Sequence, residues 1–130
     1  MKTAVIAHRG ASREAPENTL AAFNLAWDQG ADAVELDVQE TKDGRLVVLH
    51  DEDIRRTTGV RGLVGHQTFA ALQQLDAGLW KLARWKGERI PLLSDVLATV
   101  PVGRRVYIEI KSGIRILPSS LRLLTARPRS

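Results

Sequence analysis

The stretch of sequence that decides the fold is Ala33-Val34-Glu35-Leu36-Asp37-Val38-Gln39. Apolar and polar residues alternate along it, which predicts a β-strand, because successive side chains of a strand point to opposite faces. One face then carries only apolar side chains, while the other presents Glu35 and Asp37 together. The pattern predicts a strand that packs on the core by one face and holds two carboxylates on the other.

A turn signal, Lys42-Asp43-Gly44, follows this strand. Asp-Gly is a favoured pair in tight β-hairpin turns, so the apolar residues 46–49 are expected to return as an antiparallel strand. With the turn centred on Asp43 and Gly44, the two residue numbers in each cross-strand pair add up to about 87. This register sets His50 opposite Asp37. The hairpin is therefore predicted to bring an imidazole back to the carboxylates.

A short strand and a helix precede the hairpin. The apolar and β-branched residues 3–7 predict a buried strand that ends at His8. Asn18 is a candidate N-cap for a helix that runs to about Gln29, where Gly30 supplies a natural stop. This unit has the strand–helix–strand order of a parallel α/β sheet.

Residues 52–90 are less regular and predict an insertion with little secondary structure, apart from a short helix near residues 68–75. Residues 92–100 are a further helix candidate, with Ser94 as its candidate N-cap. Residues 106–111 alternate like the quoted stretch and predict a third core strand. Charged side chains near the carboxyl ends of such strands are typical of a barrel whose site lies at its mouth.

Carboxylates recur on the polar faces of two predicted strands. Taken alone, Glu35 and Asp37 are more often the solvated face of an edge strand, but Glu109 repeats the pattern beside Lys111. Carboxylate oxygens in a chain without cysteine suit a hard divalent cation, Mg²⁺ or Ca²⁺, better than zinc. The sequence therefore predicts a metal site formed by Glu35, Asp37 and Glu109.

Two histidines follow apolar runs. A lone histidine at a strand end is usually structural, but His8 and His50 lie at matched strand ends, one of them beside an acid by register. Imidazole titrates at about pH 6.5, so one ring can accept a proton while the other donates one. Arg9 offers a fork suited to phosphate, the alternative being a surface arginine. His66 lies in the irregular stretch and is predicted to be a surface residue.

Composition excludes several classes of function. The net charge of +4 arises in the last part of the chain, because residues 110–130 hold five basic residues and no acid. No basic face with interleaved aromatic residues predicts nucleic-acid binding. No apolar run approaches the roughly 18 residues of a membrane span, and the amino-terminal run is too short for a signal peptide. A cytoplasmic protein without stable membrane insertion is expected.

Six motifs in order resemble the glycerophosphodiester phosphodiesterase family. The resemblance covers roughly residues 4–113. The motifs are His8-Arg9-Gly10, Pro16-Glu17-Asn18-Thr19, Glu35-Leu36-Asp37, Thr41-Lys42-Asp43-Gly44, His50-Asp51 and Glu109-Ile110-Lys111. The resemblance implies a TIM-type barrel that hydrolyses a small-molecule glycerophosphodiester to glycerol 3-phosphate and an alcohol, a step of lipid metabolism.

Carried over residue by residue, the resemblance implies an acid/base pair, a metal site and a substrate-binding set. The acid/base pair would be His8 and His50, and the metal site Glu35, Asp37 and Glu109. The substrate-binding set would be Arg9, Glu17 and Lys111. The implied reaction begins when a glycerol hydroxyl attacks phosphorus to give a cyclic phosphate, which water then opens. Each imidazole would be the acid in one step and the base in the other.

The chain departs from this family in length and in its last residues. An eight-stranded barrel usually needs at least about 200 residues, so the expectation is an incomplete (β/α) barrel: the first three βα units with a hairpin and a small insertion. Residues 1–113 would form this part, and residues 114–130 a basic, divergent tail of a truncated or frame-shifted copy. Open, apolar sheet edges predict self-association.

Two further alternatives stay open. One is a non-catalytic fragment that at most binds a divalent metal or needs a partner chain to complete the barrel. The other is a related barrel phosphodiesterase that acts on phosphoinositides or lysophospholipids, because the loops that choose the substrate would lie beyond this sequence.

Overall fold

The computed structural model describes residues 3–111, which form a four-stranded sheet with short helices. The strands are β1 (Ile6–His8), β2 (Ala33–Glu40), β3 (Leu46–Val48) and β4 (Arg105–Ile110). The helices are α1 (Leu20–Asp28), α2 (Arg55–Thr58), α3 (Phe69–Gln73) and α4 (Leu93–Leu97), and single 3₁₀ turns lie at Val64–His66 and Ala83–Trp85. The predicted tail, residues 114–130, lies outside the described residues.

Strand β2 is the centre of the sheet. Strands β1 and β4 run parallel to it, and β3 runs antiparallel. Because β4 pairs with β2 from Ala33 to Val38, it occupies one edge, so β1 and β3 must share the other. The predicted parallel α/β sheet with an added hairpin is therefore present in the described residues.

The apolar face of β2 packs against α1 and α4. Val34, Leu36 and Val38 are almost fully buried there, and each such side chain stabilises the fold by about 1.5–3 kcal/mol. The helices contribute Phe23, Ala26, Trp27, Leu93, Val96 and Leu97 to the same cluster. This packing fixes the orientation of β2 and so directs its polar side chains to the opposite face.

The insertion has little regular structure, as predicted, but it has an apolar core of its own. That core joins β3 to the insertion through Val47, Leu49, Ile54, Val64, Phe69, Leu72, Ala77 and Ile90. Helix α3 begins where the Thr68 hydroxyl accepts a hydrogen bond from the backbone N–H of Ala71. His66 is exposed, as predicted.

Both predicted helix caps are wrong. Thr19, not Asn18, caps α1, because its hydroxyl accepts a hydrogen bond from the backbone N–H of Ala22. Asn18 has a left-handed backbone, with φ of 59°, and its side chain turns away from the helix. Helix α4 begins at Leu93 with Leu92 as its cap, so Ser94 lies inside the helix. Gly30, with φ of 84°, follows the end of α1 as predicted.

The predicted hairpin register is wrong by one residue. Val38 pairs with Val48, and the backbone N–H of Leu49 donates to the carbonyl of Asp37. Leu49, not His50, therefore lies opposite Asp37. The cause is the loop, where the N–H of Thr41 donates to the carbonyl of Arg45 and widens the turn beyond the two residues assumed from the sequence.

The first strand is exposed, whereas the sequence predicts a buried one. Val5 and Ile6 are 57% and 52% exposed, because within residues 3–111 the strand pairs with β2 along one edge only. Tyr107 on β4 is also exposed. Self-association through these edges stays a prediction. No helix in the described part of the chain is long and apolar enough to cross a bilayer.

Candidate active site

Three carboxylates converge on the polar face of the sheet. Glu35 and Asp37 are two residues apart on β2, and Glu109 on β4 is paired with Asp37 in the parallel register. One oxygen from each carboxylate lies within 4.8 Å of the others. Register and alternation together thus produce the cluster that the sequence predicted.

Asp37 lies deepest, with a side chain that is 1% exposed. Its Oδ2 accepts a hydrogen bond of 3.1 Å from the Asn18 amide and lies 3.5 Å from Arg9 Nε. Its Oδ1 lies 3.7 Å from Lys111 Nζ and, among residues 3–111, has no hydrogen-bond donor. A buried carboxylate needs compensating charge, and the two cations at these distances supply it only in part.

Glu35 is the second carboxylate with an unsatisfied oxygen. Its Oε1 is buried and has no hydrogen-bond donor within the described residues. Burial raises the pKa of Glu35, and the neighbouring Asp37 charge raises it further. Two buried oxygens without a hydrogen-bond donor, beside a third carboxylate, fit a hard divalent cation, which would supply further positive charge.

His8 ends β1 and stands at the rim of this cluster. Its Nε2 lies 3.6 Å from Glu35 Oε1, because His8 and Glu35 are paired in the β1–β2 register. The side chain is 65% exposed. The imidazole is therefore open to solvent while it borders the carboxylates, as an acid/base group at a binding face requires.

Arg9 and Asn18 reach Asp37 from unusual backbone conformations. Both are non-glycine residues with positive φ, 58° and 59°, and the N–H of Asn18 donates to the carbonyl of Arg9. The left-handed conformation costs about 1–2 kcal/mol for such a residue. Gly10 lets this loop approach α1, since a Cβ there would lie 2.7 Å from the carbonyl carbon of Ala22.

Asn18 is a site residue that sequence reasoning missed. The available signal was the pair Asn18-Thr19, because both residue types cap helices and only one can occupy the N-cap. Thr19 takes that position, which leaves the Asn18 amide free to bind Asp37.

The side chain of His50 contacts a neighbouring ion-pair network rather than the carboxylate cluster. Among residues 3–111, no hydrogen bond or ion pair joins His50 to the three carboxylates. Its Nδ1 lies 2.7 Å from Asp51 Oδ1, and Asp51 is also bound by Arg56. The hydrogen bonds from Arg56 and then from His50 lower the pKa of Asp51 to about 2.

Glu17 and Lys111 both lie at the site. Glu17 Oε2 accepts a hydrogen bond of 3.2 Å from Arg9 Nη1, and Lys111 Nζ lies 3.7 Å from an oxygen of Glu109 as well as of Asp37. Arg9 Nε is buried and, within the described residues, makes no hydrogen bond. The site therefore holds a buried donor and buried acceptors that make no hydrogen bond within the described residues.

Comparisons with known proteins agree on one family. A sequence model of the glycerophosphoryl diester phosphodiesterase family matches residues 8–116. A glycerophosphodiester phosphodiesterase of Caldanaerobacter subterraneus is 52% identical over 121 residues, which are 91% of this chain and 49% of that protein. The chain thus spans about half the length of the curated relatives it matches.

Solved structures show the same fold. The glycerophosphodiester phosphodiesterase of Agrobacterium tumefaciens matches with a TM-score of 0.83 and 42% identity over 97% of this chain and 55% of its own. A phosphodiesterase of Oleispira antarctica, in complex with the product sn-glycerol-3-phosphate, matches with a TM-score of 0.86 and 36% identity over 96% of this chain and 53% of its own. The predicted fold class, an incomplete TIM-type (β/α) barrel, is confirmed.

Proposed function

Because the chain belongs to the glycerophosphoryl diester phosphodiesterase family, we propose that it hydrolyses glycerophosphodiesters to glycerol 3-phosphate and an alcohol. The observation that carries the proposal is a set of buried polar atoms that have charged neighbours at 3.5–3.7 Å but make no hydrogen bond within residues 3–111, namely Arg9 Nε, Glu35 Oε1 and Asp37 Oδ1. Buried polar atoms are rarely left without partners unless a ligand completes them. A metal-bound phosphate would satisfy both the acceptors and the donor.

Glu35, Asp37 and Glu109 would hold a divalent cation, Mg²⁺ or Ca²⁺, since these metals prefer carboxylate oxygens. When bound, such an ion polarises phosphoryl oxygens and favours ionisation of an attacking hydroxyl. Within residues 3–111 these three residues are the candidate metal cluster, and their separation within 4.8 Å suits a single ion.

Arg9 and Lys111 would bind the phosphate. Arg9 Nε and Lys111 Nζ stand 3.5 Å and 3.7 Å from Asp37 oxygens, longer than the roughly 2.7–2.9 Å of a tight charge-assisted hydrogen bond. The two cations therefore lie at the site without a tight hydrogen bond to Asp37, so they can still bind a phosphate. Glu17 supports Arg9 through the hydrogen bond to its Nη1.

His8 and His50 would form the acid/base pair. In the first step a glycerol hydroxyl attacks phosphorus, one imidazole accepts its proton, and the other protonates the leaving alcohol as the bond from phosphorus to that oxygen breaks. Water then opens the cyclic phosphate with the proton transfers reversed. His50 Nδ1 faces Asp51, which favours the Nδ1–H tautomer and leaves Nε2 for proton transfer.

The test is turnover by the purified chain with Mg²⁺ or Ca²⁺ and a glycerophosphodiester, followed as release of glycerol 3-phosphate. Activity should be lost in His8→Ala and His50→Ala but kept in His66→Ala, whose exposed position makes it the matched control. Metal binding without turnover in the parent would favour the alternative, a chain that binds metal but is not catalytic. Glycerophosphodiesters derive from lipids, so we place this activity in lipid metabolism; the cytoplasmic location stays a prediction.

A further inference from the structure

Arg56 is not among the predicted site residues, but it binds both Asp51 and Glu17, the second of which lies 39 residues earlier in the sequence. Its Nε and Nη2 donate to the two oxygens of Asp51 at 2.8 and 3.2 Å. Its Nη1 and Nη2 donate to the two oxygens of Glu17 at 3.0 and 2.7 Å. One guanidinium thus binds two carboxylates, each through both of its oxygens.

Each carboxylate also binds a residue of the proposed machinery. Asp51 Oδ1 lies 2.7 Å from His50 Nδ1, and Glu17 Oε2 accepts a hydrogen bond from Arg9 Nη1. A continuous chain of polar contacts therefore runs from the imidazole of His50, through Arg56, to the guanidinium that borders Asp37.

The surroundings of Arg56 keep its geometry fixed. Helix α2 is a single turn, and it is anchored by the buried residues Ile54 and Thr57 on either side of Arg56. The ring of Trp80 lies 5.5 Å from the guanidinium carbon, so one side of the cation is covered. Only the planar fork of arginine can bind two carboxylates in this way, because the lysine ammonium is a single point.

We propose that Arg56 is a positioning residue: it holds Asp51 so that His50 keeps Nδ1–H on the carboxylate and Nε2 free, and holds Glu17 so that Arg9 stays at Asp37. This role rests on the proposed function, because it acts through His50 and Arg9. An exposed ion pair that only adds stability is the competing explanation, and such pairs typically contribute about 0–1 kcal/mol.

The decisive readout is the tautomer of neutral His50, measured by NMR of the ¹⁵N-histidine-labelled chain, with the three imidazoles assigned from single His→Gln variants. In Arg56→Gln the carboxylates of Asp51 and Glu17 lose the guanidinium that they share, so Asp51 is no longer held against Nδ1 and the neutral form of His50 should become a mixture of tautomers. Arg55→Gln removes the same charge from an exposed position on the same helix, and it should leave the His50 tautomer as in the parent.

Arg56→Lys separates charge from geometry. It keeps the cation but removes the planar fork, so the tautomers of His50 should still mix. This variant also decides the question if Arg56→Gln does not fold. An unchanged His50 tautomer in the folded Arg56 variants would overturn the proposal.

Steady-state kinetics test the same role of Arg56 by a second measurement. Arg56→Gln should lower kcat for glycerophosphodiester hydrolysis about 100-fold, because misplacement of a reacting group by about 1 Å has this effect. Arg55→Gln should not lower it. If the parent shows no turnover, the proposed function fails while the NMR result still tests the positioning by Arg56.

Discussion

The side-chain amide of Asn18 donates a hydrogen bond to Asp37 Oδ2, joining two buried residues 19 positions apart in sequence. This contact ties the loop before α1 to the carboxylate at the centre of the site. It also accounts for the left-handed backbone of Asn18, since asparagine tolerates that conformation better than most residues.

Removal of the Asn18 amide should destabilise the protein. Asn18→Gly keeps the left-handed backbone accessible and removes only the side chain. The stability that this variant loses therefore reports the hydrogen bond to Asp37. We expect a decrease of about 1–3 kcal/mol in the free energy of unfolding, because a buried charged acceptor loses a donor. Urea denaturation measures it. The control is Asn24→Ala, which removes an exposed asparagine side chain from α1 and should have little effect. An equal loss of stability in Asn18→Gly and Asn24→Ala would contradict the assigned role of Asn18.

Mg²⁺ or Ca²⁺ should stabilise the parent but not variants of the carboxylate cluster. Glu109 is 61% exposed, so Glu109→Gln should leave the metal-free melting temperature nearly unchanged while it weakens metal binding. A ligand at 100 times its Kd stabilises by about 2.7 kcal/mol, a shift that thermal unfolding resolves. Calorimetric titration gives the affinity directly. Glu52→Gln, at an exposed position in the insertion, should bind metal like the parent; equal binding by Glu109→Gln would exclude Glu109 as a ligand.

Acid should weaken the protein through Asp51. Its pKa is lowered to about 2 in the folded state, chiefly by the Arg56 hydrogen bonds, whereas an unfolded aspartate titrates at about 3.9. A depressed folded pKa gives stability that is fully present above about pH 4 and is lost as pH falls toward 2. Asp51→Asn should flatten this part of the pH dependence of unfolding, and the exposed change Asp28→Asn should not. If Asp51→Asn loses stability at low pH as the parent does, groups other than Asp51 cause that loss.

A methyl group at Gly10 should strongly destabilise the loop that carries Arg9. The Cβ of Gly10→Ala would meet the Ala22 backbone at 2.7 Å, and the residue has φ of 79°. Overpacking alone costs about 1–3 kcal/mol. Gly65→Ala is the matched control, because a Cβ there has no neighbour within 4 Å. Equal denaturant midpoints for the two variants would refute this close packing.

Exposed strand edges predict self-association. Ile6 on β1 is 52% exposed, and its replacement by lysine should reduce association, because charged side chains protect sheet edges. Sedimentation velocity over a range of concentrations measures the effect. A parent chain that stays monomeric throughout the range would end this expectation.

The sequence by itself determined the elements and the faces. Alternation along residues 33–39 and 106–111 predicted two strands with carboxylates on one face, and the structure places Glu35, Asp37 and Glu109 together. Alternation is a local property with a period of two residues, so it can be read without knowledge of the rest of the fold.

Only the tertiary structure decided register and partners. The pairing of Leu49 with Asp37 depends on backbone hydrogen bonds in the turn, and a shift of one residue changes which side chain faces the site. The binding of Asn18 to Asp37 and of Arg56 to Glu17 joins residues that are far apart in the chain. Such contacts depend on how the loop before α1 and the insertion approach the sheet, which local sequence patterns do not specify.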